Sequence, residues 1–103
     1  MKSIAVIEDN KDNRLLVRSL LSEFYKITEY ETGFEAFRGL QNNVPDLILL
    51  DISLPGMDGV EVLCQMRNDE KLKRIPVIAL TAHAVSGDRE QYLASGFNDY
   101  IAK

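Results

Sequence analysis

The sequence predicts an α/β fold built on a parallel sheet, and three observations carry that prediction. Apolar segments of strand length recur at roughly even intervals, segments of helical length separate them, and two of the strand candidates are almost wholly apolar. Strand alternating with helix implies right-handed crossover units, and a continuously apolar strand is the mark of a strand covered on both faces.

The first strand candidate is "SIAVI" (3–7). Between Lys11 and Phe24 the apolar residues Leu15, Leu16, Leu20, Leu21 and Phe24 recur at helical spacing, with Arg14, Arg18 and Glu23 largely off that stripe, so a first helix is expected there. "KITEYE" (26–31) alternates polar and apolar residues and reads as an edge strand. Residues 34–40 form the second helix candidate, followed by the apolar strands "DLILL" (46–50) and "PVIALT" (76–81). Helices three and four are expected over 60–68 and 87–95, with Asp58 and Ser86 as N-caps and Gly96 as a C-terminal stop. On helix three, Leu63, Cys64 and Met66 read as packing residues. "DYIA" (99–102) is the fifth strand.

Composition narrows the function classes. The 103 residues fit one domain, with 46% hydrophobic and 27% charged residues, too apolar for disorder. A net charge of -4 with scattered basic residues gives no stripe of the kind that tracks a phosphodiester backbone, so direct nucleic-acid binding is not expected. The single cysteine excludes an internal disulfide and suits a reducing compartment, and no signal peptide or long apolar span is visible. A cytoplasmic location is expected.

The chemistry gathers at the strand ends. In "LILLDISLPGMDG" a buried strand ends on Asp51, although a desolvated carboxylate needs solvent or a partner charge. Strand one runs into Glu8 and Asp9, strand four ends on Thr81, and strand five leads to Lys103. In an open parallel sheet ligands bind beyond the carboxyl ends of the strands. If strands one, three, four and five are neighbours in that order, the ~4.8 Å strand spacing brings Asp9 close to Asp51, with Lys103 roughly 10 Å away and within reach. Carboxylates that close repel unless one is protonated or a cation joins them, and an all-oxygen site favours magnesium. A carboxylate nucleophile beside a metal and a lysine is equipment for phosphoryl transfer through an aspartyl phosphate.

With "IEDN", "DISLPGMDG", "ALTAHA" and "YIAK" in this order and at these intervals, the sequence resembles the receiver domains of two-component response regulators over its whole length. The resemblance implies a flavodoxin-like, doubly wound five-stranded parallel sheet in the order 2-1-3-4-5. It implies a single receiver domain over 1–103 that takes a phosphoryl group on Asp51 from a histidine kinase or phosphotransfer protein and switches conformation to control a partner. Magnesium would be the cofactor, bound by Asp9, Asp51 and the backbone carbonyl of Ser53, with Glu8 acting through a bound water. Thr81 and Lys103 would bind the phosphoryl oxygens, and Tyr100 would change rotamer as Thr81 moves. Such a domain is a phosphoacceptor and not an enzyme with a separate substrate. The downstream effector is not named by the sequence, and no membrane association is expected.

Each residue alone has a plainer reading. Asp51 is also a fitting turn residue before Pro55, Glu8 and Asp9 suit the start of a helix, Thr81 is a good strand former, and Tyr100 can be core. His83 reads as a loop residue, and Pro55 and Gly59 as residues that shape the loop after Asp51. Competing functions fit less well. A magnesium-dependent hydrolase with an aspartate nucleophile commonly carries a second aspartate where Ser53 stands, and a flavin carrier needs a phosphate loop that "EDNKDN" would repel. A binding-only receiver is disfavoured by the complete acid pocket. Receivers normally continue past the strand-five lysine with a proline and a fifth helix. A chain ending at Lys103 is therefore expected to be a C-terminally truncated form with four helices. Apolar surface would then lie open on the helix-one face of the sheet, for a partner or a second copy to fill if the chain is complete.

Overall fold

Five β-branched and leucine-rich segments align as parallel strands, and the computed structural model describes them through residues 2–52, 59–81 and 88–102. The chain order is β1 (Ser3–Ile7), α1 (Lys11–Leu21), β2 (Lys26–Tyr30), α2 (Gly33–Leu40), β3 (Leu47–Asp51), α3 (Gly59–Arg67), β4 (Val77–Thr81), α4 (Asp88–Ser95) and β5 (Asp99–Ala102). The strands form one sheet in the order β2-β1-β3-β4-β5, the flavodoxin-like arrangement with four helices among the described residues. As its alternating pattern predicts, β2 lies at an edge, and none of its residues is fully buried.

Alternation along the strands divides the core between the two sheet faces. Ala5, Ile7, Ile48, Leu50, Val77 and Ala79 pack with Ala36 and Leu40 of α2, with Val62, Leu63 and Met66 of α3, and with Phe97 beyond α4. On the other face Ile4, Val6, Leu49 and Leu80 meet Val17 and Leu21 of α1. This second cluster is smaller, and α1 buries no residue completely. The stripe expected on that helix therefore divides. Leu21 packs on the sheet together with Val17, which the pattern did not single out, whereas Leu15, Leu16, Leu20 and Phe24 are more than half exposed. Leu16, Val17, Leu20, Leu80 and Ile101 line an open apolar hollow of about 220 Å³ between α1 and the β4–β5 side of the sheet.

Local chemistry explains most boundaries. Asn10 caps α1, its side chain accepting a hydrogen bond from the Asn13 amide, and Thr32 caps α2 by accepting from the Glu35 amide. Gly96, with φ of 111°, ends α4 in the left-handed region that glycine tolerates. Helix α1 stops at Leu21, short of the predicted Phe24. The expected caps Asp58 and Ser86 lie outside the described residues. Cys64 is exposed, which corrects its reading as a packing residue: it stands about 200° round the helix from buried Val62. No described helix is long and apolar enough to cross a membrane.

Candidate functional site

The site is built by strand register. Strands β1 and β3 pair Ile7 with Leu50, so the next positions, Glu8 and Asp51, come level at the carboxyl edge. The Glu8 amide continues the ladder to the Tyr30 carbonyl at 3.0 Å, and Asp51 is the last residue of β3, one position later than the sequence pattern placed the strand end. Strands β3 and β4 pair Asp51 with Leu80, and the next residue, Thr81, stands beside it at 3% exposure. Across β4 and β5, Thr81 pairs with Ala102 and Ala79 with Tyr100.

Glu8, Asp9 and Asp51 each bring a carboxylate oxygen into one cluster, all within 4.8 Å of one another. Glu8 and Asp51 are buried and Asp9 is exposed, so the cluster opens to solvent on the Asp9 side. Carboxylates at this spacing repel one another when ionised, and a divalent cation relieves that repulsion. The donor set is entirely hard oxygen and leaves coordination positions for water or phosphate, which fits magnesium rather than a soft metal.

The chain backbone is tightly fitted beneath this cluster. The Gly59 amide donates to the Ile52 carbonyl at 2.8 Å, and a Cβ at Gly59 would lie 2.7 Å from both the Asp51 carbonyl oxygen and the Ile52 Cα. Gly59 thus lets the first turn of α3 close against the end of β3. Tyr100 is half-buried and packs against the larger core cluster. Ser53, Pro55, His83 and Lys103 lie outside the described residues.

Three residues at the start of α1 escaped the sequence pattern. Asn10 caps the helix, Asn13 Nδ2 donates to Glu8 Oε1 at 2.9 Å, and Arg14 Nη1 donates to the Glu8 and Asp9 carbonyls at 2.7 and 3.1 Å. The available signal was an asparagine directly after the acid pair, a ready N-cap that puts the next side chains one helical turn from Glu8.

Residues 4–103 match the family model described as "Response regulator receiver domain". The chain is 42% identical to the polar-differentiation response regulator DivK of Brucella ovis over 103 residues, covering 99% of this chain and 84% of that protein. The receiver domain of the sensor histidine kinase PA1611 from Pseudomonas aeruginosa PAO1, solved with a magnesium ion coordinated in its active-site cleft, superposes with a TM-score of 0.88. It is 39% identical, with 99% of this chain and 84% of that one covered. The phosphorylated cyanobacterial phytochrome response regulator RcpA matches with a TM-score of 0.87 at 36% identity, over 99% of this chain and 80% of that one.

Proposed function

The chain belongs to the response regulator receiver domain family of two-component signalling, and from that premise we propose that Asp51 is its phosphoacceptor, working with magnesium. The observation that carries this reading is the convergence of Glu8, Asp9 and Asp51 within 4.8 Å at the carboxyl edge of the sheet, with Thr81 buried beside them. A magnesium-bound relative and a phosphorylated one of the same fold support it.

Asp9, Asp51 and the Ser53 carbonyl would hold the metal directly, and Glu8 would act through a bound water. When bound, magnesium neutralises charge on the transferring phosphoryl group and on the acids around it. A carboxylate oxygen of Asp51 forms the new bond to phosphorus while the donor's phosphorus–nitrogen bond breaks, its electron pair returning to the histidine ring. The donor is a histidine kinase or a phosphotransfer protein. The domain is an acceptor and not an enzyme with a separate substrate, acts in the cytoplasm, and residues 1–103 belong to a single such domain.

Lys103 pairs with one phosphoryl oxygen, and the Thr81 hydroxyl donates to another. A hydrogen bond to a charged oxygen contributes about 1.5 to 3 kcal/mol, enough to shift a two-state equilibrium roughly ten- to a hundred-fold. Tyr100, seated where β5 flanks β4, follows Thr81 and carries the change to the surface of α4 and β5. The test is intact mass after incubation with magnesium and a small-molecule phosphodonor. One added phosphoryl group is expected, absent in Asp51→Asn and with chelator; no addition to the folded protein overturns the reading.

A further inference from the structure

We propose that Arg14, with Asn13 beside it, is a positioning residue that preorganises the acid pair for magnesium. The proposal rests on the reading that Glu8, Asp9 and Asp51 bind that ion.

Glu8 and Asp9 lie just beyond β1, where the strand ladder ends and α1 has not begun. Arg14 reaches back from the first turns of α1, and a single guanidinium nitrogen takes both backbone carbonyls of the pair, at 2.7 Å to Glu8 and 3.1 Å to Asp9. Its side chain is only 16% exposed, and its Nε lies 3.6 Å from Glu29 Oε1 on β2. Glu29 is itself held by Arg18, whose Nη2 and Nε approach Oε2 at 2.6 and 2.7 Å. The guanidinium is thus fixed from the neighbouring strand and in turn fixes the turn that carries two of the acids. Asn13 adds a hydrogen bond to Glu8 Oε1 and so sets the rotamer of that carboxylate.

The placement of the donors separates positioning from simple charge balance. Arg14 gives its described hydrogen bonds within the pair to carbonyl oxygens, leaving the carboxylates directed to the cluster. Its positive charge opposes a second cation nearby, so charge alone predicts that removing Arg14 tightens magnesium binding. Holding the ligands in place predicts the reverse, because residues that orient metal ligands typically carry ten- to a hundred-fold in affinity.

The sign of one measurement therefore decides. Magnesium is titrated into wild type, Arg14→Ala, Arg14→Lys and Asp9→Asn without phosphodonor, followed by calorimetry or by backbone amide shifts, with circular dichroism and thermal unfolding as fold controls. Arg14→Ala is expected to bind roughly ten-fold or more weakly. Arg14→Lys keeps the charge and the aliphatic stem but loses the fixed guanidinium, and is expected to fall between the two. It decides the matter if the alanine variant does not fold. A dissociation constant unchanged or tightened in the folded variants overturns the proposal while leaving the metal reading intact, since Asp9→Asn still abolishes uptake. No uptake by wild type sinks the metal reading and this proposal with it. A role in stability alone lowers the unfolding temperature without moving the dissociation constant.

Discussion

The two ends of the sheet solve opposite problems with charged side chains. At the amino ends of the strands Arg67 spends its donors on four acceptors, the carbonyls of Lys73, Ile75 and Gly96 and the Asn98 side chain, at 2.8 to 3.1 Å. Asn98 passes the support on to the Val77 amide at 2.9 Å, and the Asp46 carboxylate accepts from the Ser3 amide at 2.8 Å. At the carboxyl ends three acids crowd within 4.8 Å, two of them buried. One end satisfies the polar groups that strands and helix termini leave over. The other gathers carboxylates that a bound cation and a phosphoryl group are suited to use. Stability and chemistry thus sit at separate ends of one rigid sheet, and changes at the two ends should be separable.

Asp51→Asn gives the largest expected effect. Loss of phosphoryl acceptance should be complete, because an amide cannot replace the carboxylate nucleophile. Magnesium at a hundred times its dissociation constant should raise wild-type stability by about 2.7 kcal/mol and raise the variant less. Intact mass reads the first and thermal unfolding with and without magnesium the second; an equal rise in the variant would show that Asp51 does not hold the ion.

Arg67→Ala is the mirror experiment. Hydrogen bonds from a charged donor contribute roughly 1.5 to 3 kcal/mol each, and their partial replacement by water leaves an expected loss of about 3 kcal/mol. For a chain of this length that is roughly 12 to 24 °C in unfolding temperature. Magnesium affinity of the folded fraction should not change; a shift would mean that the two ends communicate.

Gly59→Ala tests a place where backbone fit and chemistry meet. A Cβ 2.7 Å from the Asp51 carbonyl and the Ile52 Cα forces the end of β3 and the start of α3 apart. Overpacking of this kind costs about 1 to 3 kcal/mol. Unlike Arg67→Ala, this variant should also weaken magnesium binding, because the displaced strand end carries Asp51.

The same contrast explains what could be read from sequence. Local pattern sets the strand ends: an apolar run that stops on Asp51, the pair Glu8 and Asp9, and Thr81 are visible without coordinates, and parallel pairing then brings them level. The flanking support is not visible in that way. Which backbone oxygens Arg14 and Arg67 reach depends on how the helices lie on the sheet, and a long flexible side chain gives no periodic signal. Open apolar surface on the helix-one face was legible in the sequence, but which leucines of α1 stay exposed was not, because Leu15, Leu16 and Leu20 have the spacing of core residues and only the packed structure shows which neighbours meet them. Cys64 failed for a related reason, since a small apolar residue near Leu63 and Met66 is assigned inward unless the helix phase is known.

The smallest expected effect belongs to Asp69, at the stable end. Its carboxylate accepts from Gln41 Nε2 at 2.6 Å and from the Lys71 amide at 2.8 Å, tying the end of α2 to the turn before β4. The Gln41 hydrogen bond first, then the Lys71 amide, hold its pKa below the ordinary value of 3.8. The unfolded chain therefore binds this proton more readily than the folded one, so the contribution is fully present above the ordinary carboxylate value and is lost as pH falls through the lowered one. Asp69→Asn should accordingly unfold at a slightly lower temperature than wild type at pH 7, and the gap should narrow as pH falls below the ordinary carboxylate value and close only below the lowered one. Magnesium should leave that gap unchanged at every pH. A gap that widens in acid would reverse the assigned sign, and one that responds to magnesium would join the two ends of the sheet that the structure keeps apart.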